Sequence, residues 1–170
     1  MHRRHNALRR SATVALAVTV GAFVSVACSF AARNTAASAG LVRLHSVELA
    51  AEDPTPGGTY VIIENRTRSP VRLGCWRIRT GQGVRRMRST TVVPAAAGLR
   101  LLFDHGDARN PDRIALINPS GRVVDATPLL NDTKNDDRSF TRIEGHWTLG
   151  RAPLPSRVVE GKFVQPGSSC

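Results

Sequence analysis

Asp104, His105 and Asp107 are the first residues whose types and spacing suggest chemistry, since they lie together in one polar loop, residues 104–112. An imidazole beside carboxylates can transfer protons when a cleft holds it, as hydrolysis of a phosphoester would require. However, no serine or cysteine nucleophile has a recognisable context, and no Gly-x-Ser-x-Gly occurs. A solvated turn rich in Asp and Gly explains the same residues without catalysis. We therefore predict no catalytic residues and keep a hydrolase that uses this loop as the alternative.

A second group of residues is basic. Two neighbouring extended segments carry five arginines: Arg77, Arg79, Arg85, Arg86 and Arg88. If the segments pair as a hairpin, the guanidinium groups crowd one edge and would bind the phosphates of a nucleic acid, an envelope polymer or a lipid headgroup. Arginines on an edge strand also block unwanted strand pairing, which needs no ligand. These five arginines are candidate binding residues for an unknown protein or an anionic polymer of the cell envelope.

The overall charge supports an anionic partner without identifying it. The chain has 170 residues and a net charge of +11, with 22 arginines against two lysines. Such a surface attracts polyanions and anionic membranes, but an arginine-biased bacterial proteome would produce the same charge without any ligand. Aromatic residues make up only 5% of the chain, too few for a base-stacking platform. Nucleic acid is therefore not the favoured partner.

The N-terminus predicts export. Residues 1–10 are basic, residues 11–28 are apolar and uncharged, and Ala37, Ser38 and Ala39 form an Ala-x-Ala cleavage site. A signal peptide over residues 1–39 is one interpretation. Lipidation of Cys28 is a second, and a retained N-terminal anchor is a third. In each case the globular part lies outside the cytoplasm, either secreted or anchored at the outer face of the cytoplasmic membrane.

The cysteines fit an oxidising compartment. If Cys28 is removed or lipidated, Cys75 and Cys170 remain and can pair, although two free thiols are the alternative. The sequence has no Cys-x-x-Cys and no Cys/His grouping with zinc spacing. We predict no metal and no cofactor.

The body of the chain predicts an all-β domain. Residues 59–64 alternate as a strand does, the polar turn 65–70 follows, and residues 71–79, which include Trp76, form a second strand. Two hairpins are predicted, one turned at residues 118–121 and one at residues 144–145. Seven to nine short strands separated by turns, with no convincing helix after the signal, indicate a β-sandwich. We predict this domain over residues 40–153 and a C-terminal tail over residues 154–170.

Three motifs carry a resemblance to a known family. YVIIENRTRSPVRLGCWRIR is similar to the first motif of the lamin tail domain family, a strand, a polar turn, an apolar pair and a Gly-Trp. RIALINPSGRVVD resembles the second motif, and SFTRIEGHW resembles the segment that closes many bacterial members. The chain departs from the pattern where Cys75, not glycine, precedes the Trp, and the polar loop before the second motif is short.

The resemblance implies an immunoglobulin-like β-sandwich without catalytic residues. Bacterial members are often exported, and animal members bind DNA, chromatin proteins and membrane-associated partners. We therefore expect an exported, non-catalytic module that acts in the bacterial cell envelope as a binding, adaptor or structural protein, with membrane association, if any, through its N-terminus.

Overall fold

Within the residues that the structure describes, all regular secondary structure is β-strand. The computed structural model describes residues 40–49, 59–103, 111–132, 138–150, 154–165 and 168. Twelve strands lie in these ranges: β1 (Val42–Glu48), β2 (Tyr60–Asn65), β3 (Val71–Arg72), β4 (Arg77–Thr80), β5 (Gly83–Arg86), β6 (Val92–Val93), β7 (Gly98–Leu102), β8 (Ala115–Ile117), β9 (Val123–Ala126), β10 (Ser139–Ile143), β11 (His146–Gly150) and β12 (Val158–Glu160). The prediction of an all-β chain is confirmed.

The strands form three sheets around one core. The largest sheet has the order β11-β10-β1-β2-β7-β12, the second has the order β5-β4-β8-β9, and β3 pairs with β6. Strand pairs are antiparallel except for β12, which runs parallel to β7. Side chains from all three sheets meet in one buried cluster, for example Leu44 on β1, Ile78 on β4 and Val93 on β6. This arrangement is consistent with a β-sandwich.

A β-bulge in β1 determines which side chains of that strand reach the core. The ladder to β2 changes register between Leu44 and Ser46, so His45 is an extra residue. An extra residue shifts the alternation of side chains by one position. As a result Leu44 before the bulge and Val47 after it both point into the core and are fully buried.

The Asp125 carboxylate on β9 forms an inter-sheet latch. Its Oδ2 accepts the backbone N–H of Leu44 on β1 at 2.8 Å. Arg142 on β10 donates from Nη1 to Oδ1 at 3.1 Å and to Oδ2 at 2.9 Å. Since β9 belongs to the four-stranded sheet and β1 and β10 to the six-stranded sheet, one carboxylate joins the two. Hydrogen bonds to a charged group are roughly twice as strong as neutral ones.

The buried Asn65 side chain holds the turn after β2. Its Nδ2 donates to the carbonyl oxygens of Ser69 at 2.8 Å, Val93 at 3.2 Å and Pro94 at 2.8 Å. Its Oδ1 accepts the Thr67 N–H at 2.9 Å and the Thr67 hydroxyl at 2.8 Å. This one amide therefore fixes both its own turn and the end of β6.

One predicted strand, residues 71–79, is two strands in different sheets. Cys75 has a φ of 66°, in the left-handed region that interrupts a strand. Next to it, a Cβ added at Gly74 would lie 2.2 Å from the Ser89 carbonyl oxygen. The turn that contains both residues is closed by a hydrogen bond from the Trp76 N–H to the Leu73 carbonyl at 3.1 Å. The chain thus leaves the β3 ladder at this turn and enters the four-stranded sheet as β4.

Residues beyond 153 also differ from expectation, because the predicted tail contributes a strand. β12 pairs with β7 through Val158 opposite Gly98 and Glu160 opposite Arg100, and Phe163 packs against the core. With these additions and the split strands, the described residues contain twelve strands where the sequence predicted seven to nine. Two- and three-residue strands carry too little alternation to be recognised.

Removing the latch carboxylate should lower stability. We expect Asp125→Ala to reduce the free energy of unfolding by about 2 kcal/mol or more, because it leaves the Leu44 N–H and the Arg142 guanidinium without their acceptor. Urea unfolding midpoints measure the effect. Glu160→Gln is the control, since Glu160 lies 4.0 Å from Arg100 with 59% of its side chain exposed, and it should change stability by less than about 0.5 kcal/mol. Equal losses of stability in the two variants would show that the Asp125 hydrogen bonds contribute no more than an exposed ion pair does.

The bulge residue His45 should make stability depend on pH. Burial lowers the pKa of His45 below its ordinary value of 6.5, with Glu64 opposing and Arg43 reinforcing the shift. Above pH 6.5 both folded and unfolded chains hold the neutral imidazole, so it contributes nothing. Below that pH the unfolded chain binds the proton first, and stability falls until the folded pKa is reached.

We therefore expect the urea midpoint of the native chain to drop more than that of His45→Gln when the pH is lowered from about 7.5 to about 5. His146→Gln is the matched control, because His146 is exposed on β11, and it should retain the full drop. If His45→Gln loses as much stability as the native chain over this range, buried His45 is not the responsible group.

Candidate functional site

The two arginine-bearing segments do pair as a hairpin. β4 and β5 are antiparallel, with Arg77 opposite Arg86, Ile78 opposite Arg85 and Arg79 opposite Val84. Opposed residues share a face of the sheet. Arg77, Arg79 and Arg86 therefore lie on one face, whereas Arg85 lies on the face of the buried Ile78, at the rim of the core.

Buried side chains within β4, just before it and on a neighbouring segment hold the β4–β5 hairpin in place. Trp76 and Ile78 are each 1% exposed, so the strand is anchored by its inner face. At the turn, the Gly81 N–H donates to Oδ1 of the buried Asp112 at 2.7 Å, and the Gln82 N–H donates to the Thr80 hydroxyl at 3.1 Å. The arginines thus extend from a fixed backbone.

The C-terminal segment forms a wall beside the hairpin. The Val164 N–H donates to the Arg86 carbonyl at 2.8 Å, and the Arg88 N–H donates to the Lys162 carbonyl at 3.3 Å. Met87 and Phe163 form an antiparallel bridge between them. Residues 162–164 therefore run alongside residues 86–88 as a further strand-like segment.

A cleft of about 690 Å³ lies between the hairpin and this wall, and we call it the arginine cleft. It is lined by Arg77, Gln82, Val84, Arg85, Arg86, Val164, Gln165 and Ser168. Three of the five predicted arginines meet there. Arg79 and Arg88 are exposed and do not line it.

The arginine cleft concentrates positive charge without compensation. None of its described lining residues carries a carboxylate, and across the described part of the chain none of the five arginines forms an ion pair with Asp or Glu. Arg77 donates from Nη2 to the Pro119 carbonyl at 3.3 Å, while its Nε is buried and has no partner there. Because like charges repel, an anion that accepts from two or three of these guanidinium groups would be bound favourably.

A second cleft of about 590 Å³ lies beside the C-terminal segment, and we call it the side cleft. It is lined by Arg85, Leu102, Glu160, Gly161, Lys162, Phe163, Val164 and Gln165. Arg85, Val164 and Gln165 line both clefts.

The sequence did not indicate the contribution of the C-terminal segment. Its signal was weak: Val158, Val159, Phe163 and Val164 are apolar residues in a stretch otherwise rich in Gly, Pro and Ser. Three or four apolar positions without a run of alternation do not predict a strand, and the partner strand β7 lies far away in sequence.

Other predicted site residues lie outside the described residues: Asp104, His105 and Asp107, Cys28 and the whole of residues 1–39, and Cys170. Cys75 is disulfide-bonded. Since the chain has three cysteines, its partner is one of the two that lie outside the described residues.

No protein-family model matches the sequence, and no curated protein matches it. Within the described ranges there is no helix of the length and apolarity that a bilayer crossing requires. The same ranges hold no cluster of three or more His, Cys, Asp or Glu residues that could bind a metal ion.

We expect the partner of Cys75 to be Cys170. Arg77, two positions after Cys75, lines the arginine cleft together with Ser168, which is two positions before Cys170. Peptide mapping of the non-reduced protein should therefore yield one cross-linked pair that contains Cys75 and Cys170. Cys170→Ser should lower the free energy of unfolding by up to about 4–5 kcal/mol, because the bridge closes a long loop, and Cys28→Ser should leave it unchanged. A Cys75 peptide linked to Cys28 would contradict the assignment.

Proposed function

We propose that the chain is an exported, non-catalytic immunoglobulin-like module of the lamin tail type, which binds an anionic polymer of the bacterial cell envelope through the arginine cleft. The observation that carries the binding proposal is that Arg77, Arg85 and Arg86 line one cleft whose described lining residues include no carboxylate. Guanidinium groups provide paired N–H donors whose geometry matches phosphate and carboxylate oxygens.

The positions of the motif residues support the lamin tail resemblance. The first motif supplies β2, the Asn65 turn and Trp76, whose ring is buried in the core. The position before Trp76, where the family has glycine, has a φ of 66° in this chain. A left-handed residue at this point explains why glycine suits it, and Cys75 meets the same backbone demand.

The other two motifs also fall on well-defined hairpins. The second motif is the β8–β9 hairpin, turned at Asn118, whose Oδ1 accepts the Arg122 N–H at 2.9 Å. The third is the β10–β11 hairpin, in which Glu144 and Gly145 have φ values of 48° and 91°. Two consecutive left-handed residues are the mark of a tight hairpin turn whose twist matches its strands.

The chemistry of the cleft favours binding over catalysis. Among the described residues that line it, the polar side chains are guanidinium groups, two carboxamides and one hydroxyl. None of these groups is a typical general base of the kind that hydrolysis needs, so they favour binding of an anion over its cleavage. The described lining residues include no aromatic ring, so a polymer with repeating phosphates or carboxylates fits better than a nucleic acid whose bases need stacking partners.

Substitutions inside and outside the cleft test this function. Arg85→Gln and Arg86→Gln should each weaken binding of inorganic polyphosphate by about five- to tenfold, because each removes charge-assisted hydrogen bonds to the anion. Arg79→Gln and Arg88→Gln remove the same charge from positions outside the cleft lining and should weaken binding by less than about twofold. Fluorescence anisotropy with labelled polyphosphate at low salt measures all four.

The pattern across the four variants decides between a site and a general charge effect. Loss confined to Arg85→Gln and Arg86→Gln supports the cleft. Four equal small losses would mean that the net charge of the surface attracts the polymer, and an unchanged affinity in every variant would rule out this hairpin as the binding surface.

A further inference from the structure

The arginine cleft and the side cleft differ in chemistry although they share a wall. The described lining residues of the arginine cleft include three arginines and no carboxylate. The side cleft has Leu102, Phe163 and Val164 among its lining residues, and Glu160 offsets one of its two cations, Arg85 and Lys162. The charge of the described lining residues is therefore lower in the side cleft, which also has the larger apolar side chains.

We propose that the two clefts together bind one amphiphilic anion, with its charged head in the arginine cleft and an apolar chain in the side cleft. This inference rests on the proposed function of the arginine cleft and adds the chemical class of the ligand. A phosphate ester or similar anion that carries an alkyl, acyl or prenyl chain has this combination of groups.

Charge determines the orientation of the bound molecule. Glu160 lines the side cleft with 59% of its side chain exposed, and it lies 4.0 Å from Arg100. An anionic head placed there would meet this carboxylate, whereas the described lining residues of the arginine cleft are cationic or neutral. The charged head of the ligand is therefore directed to Arg77 and Arg86 in the arginine cleft, and its apolar chain to the side cleft.

Exposed apolar surface provides the energy for binding the chain. Leu102, which lines the side cleft at the end of β7, is 45% exposed. Phe163 and Val164 line the same cleft, so an apolar chain bound there would contact three large apolar side chains. Covering them with an apolar chain removes this surface from water, and the gain in affinity scales with the area covered.

Gly161, which lines the side cleft, lets the C-terminal segment pack closely on β7. It follows β12, and its N–H donates to the Arg100 carbonyl at 2.8 Å. A Cβ at this position would lie 2.7 Å from Leu101 Cδ2 and 2.8 Å from Leu99 Cδ1. The absence of a side chain therefore brings this wall of the side cleft directly onto the strand that carries Leu102.

The test uses two small probes with the same head. Glycerophosphoglycerol carries the phosphodiester alone, and dihexanoyl phosphatidylglycerol, kept below its critical micelle concentration, carries the same head with two short chains. Isothermal titration calorimetry with the full chain should show binding of the lipid about tenfold tighter than binding of the head. Dihexanoyl phosphatidylcholine, which has the same chains on a zwitterionic head, should bind at least about tenfold more weakly than the phosphatidylglycerol.

Variants assign each part of the probe to its cleft. Leu102→Ser should reduce lipid affinity by about fivefold or more and leave affinity for glycerophosphoglycerol unchanged. Arg86→Gln should weaken both probes. Leu129→Ser is the matched control, because Leu129 is 62% exposed and lines neither cleft, and it should affect neither probe.

The outcomes separate this inference from the function it rests on. If head and lipid bind equally and Leu102→Ser has no effect, the amphiphile is ruled out while the anion site stands. If neither probe binds and polyphosphate binds through Arg86, the inference fails alone, and if polyphosphate also fails to bind, both fail. Sedimentation with phosphatidylglycerol vesicles then shows whether a bound amphiphile is taken from a bilayer or from solution, and either source supports the inference.

Discussion

The hydrogen bonds that converge on the Asp125 carboxylate constrain the rest of the structure. The bulge at His45 interrupts the ladder of β1, and the neighbouring Leu44 N–H donates to this carboxylate on the other sheet. Arg142 donates to it from β10. Apolar packing tolerates small rearrangements, but a charged group that accepts several directed hydrogen bonds does not. The latch therefore fixes the six-stranded sheet relative to the four-stranded sheet.

The arginine cleft lies where the two sheets come together. The arginines lie on the β4–β5 hairpin of the four-stranded sheet, whereas the opposite wall follows from β12 of the six-stranded sheet. The wall then crosses to pair with residues 86–88. The wall is thus continuous along the chain with the six-stranded sheet and is hydrogen-bonded to residues beside the β4–β5 hairpin, so the arginine cleft lies where the two sheets are joined.

Local patterns predicted part of this arrangement. The alternation in β2 and the turn residues at Asn118 and at Gly145 were enough to find a strand and two hairpins, because neighbours along the chain are also neighbours in space. The break at Cys75 was missed, since it depends on the close approach of Ser89 to Gly74. The sequence predicted only one side of the candidate site. The hairpin brings Arg77 and Arg86 together, but the other side of the cleft comes from residues whose sequence has little pattern.

The parallel pairing of β12 with β7 has a consequence for the order in which the molecule assembles. Val158 and Gly98 pair across roughly 60 positions, a long-range contact whose loop-closure entropy must be met before the pairing stabilises anything. Hairpins such as β4–β5 close over a few residues and form early. The hairpin that carries the arginines is thus expected to form before the C-terminal segment pairs with it. The cleft is complete only after this later step. A ligand that contacts both sides of the cleft would stabilise this last-formed part of the fold and would slow its opening.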